Sequence, residues 1–113
     1  MALQIKTGQT KQDAMGNIYP AAYLVIDQIH IDKKAREVQL HTTIYGSQKA
    51  RRDGFSDIGS LSKVYMITGE AFDALFSVDA LIENVNQWSQ GYEYLSSIKD
   101  EDGTLIFGNW EAV

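Results

Sequence analysis

The sequence contains no cysteine in its 113 residues, one proline and two histidines. Without thiols it forms neither a disulfide nor a thiolate metal site, and the redox compartment stays open. No apolar run approaches the roughly 20 residues that cross a bilayer, so no membrane partner is expected. The start, Met1-Ala2-Leu3-Gln4-Ile5-Lys6, has no charged segment followed by an apolar one, so secretory export is not expected. Gly54 to Gly59 lacks the lysine and the strand-to-helix setting of a phosphate loop. There is no nucleophile elbow, no HExxH and no calcium loop, and Asp100-Glu101-Asp102-Gly103 reads as a solvated turn. The expectation is a non-enzymatic protein with no catalytic residue, cofactor or metal.

The length suits one domain over 1–113, and a hydrophobic fraction of 44% suffices for one modest core. Net charge is −5 and unevenly placed. Residues 1–52 hold eight Lys/Arg against four Asp/Glu, and residues 53–113 hold two against eleven. Two solvated faces of different sign account for this. Head-to-tail contact between the basic half of one copy and the acidic half of another does so as well.

The chain is organised around a hairpin at about 23–45, turned at Lys33-Lys34-Ala35-Arg36. Pairing Asp32 with Glu37 sets Ile31 against Val38, Ile29 against Leu40 and Val25 against Ile44, with Asp27 opposite Thr42. Asp27 either takes a hydrogen bond from Thr42 or is turned outward by a local bulge. The other face carries His30 with Gln39 and Gln28 with His41. In this register Leu24, Ile26 and Tyr45 fall on the outer face, which then needs a cover from a helix or a neighbouring subunit.

Around the hairpin, Leu3 to Thr7 reads as a short strand and 8–18 as a loop or flexible arm. Pro20 belongs before a strand or on an edge. The stretch 46–61 is a long loop carrying Lys49, Arg51, Arg52 and Phe55. Ser62 to Thr68 is a strand with apolar residues on both faces, which suggests a central position. Helices follow over about 70–97. Phe72, Leu75 and Phe76 mark a first turn, Ser77 caps a second helix, and positions 78, 81, 82, 85, 88, 92 and 95 form its apolar face. Asn86 and Gly91 weaken its middle. Thr104 to Phe107 is the last strand. The class is α+β: a mostly antiparallel sheet or small, partly open β-barrel, with helices inserted before the final strand.

His30 and His41 are diagonal neighbours able to approach one zinc ion, but a third protein ligand is lacking, and solvated histidines are the expectation. Lys49, Arg51 and Arg52, with Lys33, Lys34 and Arg36, can touch phosphates. No aromatic residues interleave with them and the net charge is negative, so nucleic acid is not an expected partner. Trp88 and Trp110, with Tyr92, Tyr94 and Phe107, serve either the core or an interface.

One order of features carries a resemblance. It runs from Leu3-Gln4-Ile5-Lys6-Thr7-Gly8 through Tyr19-Pro20-Ala21-Ala22-Tyr23 to a hairpin ending in Ile44-Tyr45. The loop Lys49-Ala50-Arg51-Arg52-Asp53-Gly54-Phe55, the strand before Gly69 and the helices with Phe72 and Phe76 follow. Over most of its length the chain resembles small uncharacterised proteins of tailed bacteriophages and prophages, encoded among virion structural genes. The resemblance implies a tail, neck or baseplate component. Such a protein is made in the host bacterial cytoplasm, resides in the virion and contacts other copies of itself and other virion proteins. The family has no established active site, so no functional residue carries over. A small host-directed or regulatory binding module, using the 46–61 loop, is the alternative.

Overall fold

Ile29 and Ile31 of one strand face Leu40 and Val38 of the next, and this apolar row fixes one half of the hairpin. The computed structural model describes residues 2–76 and 86–113. Its strands are β1 (Leu3–Ile5), β2 (Lys11–Gln12), β3 (Ile18–Tyr19), β4 (Tyr23–Asp32), β5 (Glu37–Tyr45), β6 (Lys63–Thr68) and β7 (Trp110–Ala112). Its helices are α1 (Gln48–Arg52), α2 (Gly69–Leu75) and α3 (Gln87–Ser97), with a 3-10 turn at Gly59–Leu61. The main sheet is antiparallel in the order β6-β5-β4-β1-β7, strongly curled into a half-barrel, and the fold is α+β as expected. The apolar face Val78 to Val85 and the cap at Ser77 lie outside the described residues.

The hairpin register holds from Asp32↔Glu37 to Gln28↔His41. It then slips by one, because Asp27 is a bulge, and resumes as Ile26↔Thr42, Val25↔Thr43, Leu24↔Ile44 and Tyr23↔Tyr45. The expected pairs Val25–Ile44 and Asp27–Thr42 are therefore corrected. The slip turns Leu24 and Ile26 inward, where both are buried in the main core with Val38, Leu40, Ile44 and Ile67. Tyr23 and Val25 take the outer face and form a second small cluster with Ala2 and Tyr45.

β6 is an edge strand, not a central one. Ile67 is buried on its inner side, while Val64 and Met66 are 51% and 42% exposed on its outer side. The last strand is Trp110–Ala112 rather than Thr104 to Phe107. Gly108 N–H donates to Leu105 C=O and Trp110 N–H to Phe107 C=O, so this stretch is spent on consecutive turns. β7 then meets β1 in the register Ile5↔Trp110.

α3 begins where the sequence weakens. The Asn86 side chain caps it by accepting from Trp88 N–H at 2.9 Å and Ser89 N–H at 3.3 Å. Gly91 does not break the helix. A Cβ there would lie 2.9 Å from Ile26 Cδ1 and 3.3 Å from Leu40 Cδ2, so glycine lets α3 sit close against the inner sheet face.

Candidate functional site

The segment 8–18 holds a two-stranded hairpin, with Lys11 opposite Tyr19 and Gln12 opposite Ile18. Asp13 builds its turn. Its Oδ1 accepts from the backbone N–H groups of Met15 and Asn17, each at 2.9 Å. Its Oδ2 accepts from the Asn17 amide at 3.1 Å and the Tyr19 hydroxyl at 2.9 Å. Desolvation alone raises the Asp13 carboxyl, but the hydrogen bonds from Asn17, Tyr19 and Met15 outweigh it and hold the group below its usual value. The Asp13 contact raises the Tyr19 hydroxyl in turn. Gly16, at φ +86°, supplies the left-handed position of the turn. The arm so fixed presents Met15 and Ile18 at 88% and 61% exposure. On its other side Lys11 and Ala14 border a cavity of about 250 Å³ against Ile44, Leu61, Tyr65 and Phe107.

The stretch 46–61 is partly helical. Ser47 Oγ accepts from Ala50 N–H at 3.0 Å and starts α1. Lys49, Arg51, Arg52 and Phe55 all lie at the surface. Lys49 pairs with Asp53 one turn on, at 2.6 Å. Arg51 meets Trp88, Asn86, Tyr92, Val25 and Ile26 around a depression of about 360 Å³. Two of the interface candidates, Arg51 and Trp88, thus come together across 37 positions of sequence. Leu24, Ile26 and Trp110 do not join them as exposed anchors. The bulge and the pairing of β7 with β1 bury all three in the core. Tyr45 is half-buried against Tyr23 and Val25.

Asp27 stands on the outer face and accepts from Thr43 Oγ1 at 2.7 Å. It lines a shallow depression with His41 and Lys63. His30 and His41 stack edge to face with ring centres 4.9 Å apart. Each imidazole Nε2 points to a glutamine on its own strand: His30 to Gln28 Oε1 at 3.0 Å, His41 to Gln39 Oε1 at 3.4 Å. Among the described residues no three His, Asp or Glu converge on one point within a chain.

The two charge halves touch inside one chain where Arg36 clamps Asp73 with both guanidinium arms, Nε to Oδ1 at 3.2 Å. Asp100 folds its acidic cluster into a turn, accepting from Asp102 N–H and Thr104 N–H. Sequence reasoning missed Met15, Ile18, Val64 and Met66 as surface apolar residues. Gly16-Asn17 after Asp13 was the legible signal for the arm's turn. No protein-family model matches the chain, and no curated protein or solved structure does.

Proposed function

We propose that the chain is a non-enzymatic structural subunit of a tailed phage particle, placed in its tail, neck or baseplate and acting through subunit contacts. The observation that carries the reading is the arm. Four hydrogen bonds to Asp13, all made within the single chain, build the turn that presents Met15 and Ile18 to water. A preorganised apolar tip gains burial on docking with little ordering entropy to lose. The Arg51–Trp88 depression offers an aromatic and arginine surface of the kind that anchors such contacts. The chain would be made in the bacterial cytoplasm and reside in the virion, and among the described residues no helix is long and apolar enough to cross a membrane.

The test is native mass spectrometry of the purified chain, alone and mixed with the products of the adjacent genes. Rings or defined complexes are expected. A monomer that binds none of them contradicts the reading.

The alternative, a host-directed binding module, draws on Phe55, which stands 66% exposed beside the basic helix α1. A stoichiometric host partner pulled from lysate, and lost when 49–52 are deleted, would replace the structural reading.

A further inference from the structure

The geometry points to a zinc site shared between two copies of this chain, made by His30 and His41 of each. Both histidines stand on the outer face of the β4–β5 ladder, one on each strand. Two imidazoles bound to one tetrahedral zinc, at bond lengths of about 2.0 Å, place their ring centres about 5 Å apart. The observed separation is 4.9 Å, with the rings inclined by 64°.

One tautomer of each ring suits a metal. Each Nε2 lies within reach of a glutamine Oε1, and the Nε2–H tautomer that donates to it leaves the Nδ1 lone pair available to a metal. Metal-binding histidines use this tautomer, with one ring nitrogen donating to an oxygen and the other ligating. Gln28 and Gln39 thereby become orienting groups.

One chain supplies two ligands, and a closed structural zinc site needs four. No third His, Asp or Glu joins the pair among the described residues. A two-fold axis through the ion doubles the set to four imidazoles, and two-fold contacts are the commonest way for identical chains to pair. The surroundings suit a second copy. Cross-strand neighbours share a face, so Gln28, His41 and Val64 form one row and His30, Gln39 and Met66 the next. Val64 and Met66 are exposed and flank the histidines on the edge strand. Burying them against the same residues of a partner adds apolar contact beside the ion. This surface is separate from the arm, and the inference stands independently of the proposed phage role.

The experiment is zinc titration of the full purified chain, read by native mass spectrometry, with cobalt(II) in parallel as a spectroscopic probe. The 12.7 kDa chain is expected to form a dimer holding one zinc per two chains, reversed by a chelator. Cobalt(II) is expected to give the strong visible bands of a tetrahedral site. His30→Ala and His41→Ala each abolish the zinc-dependent dimer. Val64→Glu with Met66→Glu, which keeps all four imidazoles, weakens it. Zinc bound one per chain without dimerisation overturns the proposal. So does absence of zinc binding, or a zinc-dependent dimer that survives either histidine substitution.

Discussion

The hydroxyl of Tyr92 accepts the backbone N–H of Ile26 at 2.8 Å, 66 positions away in sequence. Among the described residues β1 pairs with β4 at Tyr23 and Leu24, and Ile26 lies two residues further along β4. Two residues on along α3, the Tyr94 hydroxyl donates to the carbonyl of Met66 on β6 at 3.1 Å. α3 packs on the inner face of the sheet and supplies one hydroxyl to β4 and another to the edge strand β6. This is one way a short sheet manages edges that would otherwise invite another strand.

Replacing Tyr92 with Phe leaves the Ile26 N–H buried without its acceptor. A loss of about 1–3 kcal/mol is expected from urea unfolding. Tyr94→Phe acts at an exposed bond and should lose less than about 1 kcal/mol.

Gly91→Ala sets helix propensity against space. Alanine gains about 1 kcal/mol over glycine in a helix interior. The added Cβ meets Ile26 Cδ1 and Leu40 Cδ2, and such overpacking costs about 1–3 kcal/mol. A net destabilisation of about 1 kcal/mol is expected. Ile26→Val removes the nearest clashing atom, so the double variant should be more stable than the sum of the two single changes predicts, measured as a double-mutant cycle.

Deleting Asp27 removes the bulge and joins Ile26↔Thr42 directly to Gln28↔His41. Every other side chain keeps its face, so a change within about 1 kcal/mol is expected. Deleting Ile29 drives Gln28 toward the core position and should cost more than about 2 kcal/mol. Unfolding curves of the two deletions separate these outcomes.

Burial raises the hydroxyl pKa of Tyr92 above the usual 10.0, against the lowering effect of the Ile26 N–H bond, and burial raises Tyr65 likewise. The folded state then holds these protons more tightly than the unfolded chain. Stability is fully present below about pH 10 and falls as pH rises through the folded values. Urea midpoints should be flat from about pH 8 to 9.5 and decline above, less steeply in Tyr92→Phe.

The half of the hairpin from Gln28 to His41 was legible because Ile29, Ile31, Val38 and Leu40 alternate with polar residues without interruption. The other half was not, since Tyr23-Leu24-Val25-Ile26 is apolar throughout and fits either face. Only the bulge at Asp27 decides between them, and an acid on an apolar row permits a bulge without requiring one. Val64 and Met66 misled in the same way: apolar character on both sides of β6 suggested a central strand, yet its outer side lies at the surface. Trp110 depended on a partner strand at the opposite end of the chain, which no local pattern announces. Arg51 and Trp88 were each readable as surface anchors, but their meeting requires α1 and α3 to be placed on the sheet. Met15 and Ile18 lay hidden in a polar stretch whose order comes from one carboxylate.

The most direct test compares the wild-type chain with the double variant Met15→Ser and Ile18→Ser by native mass spectrometry in the presence of a chelator, alone and with the products of the adjacent genes. Circular dichroism confirms that the sheet is retained. The wild type should assemble and the variant should stay monomeric or lose its partner. A wild type that is monomeric in every mixture, or a variant that assembles as fully as the wild type, would contradict a subunit docking through its arm.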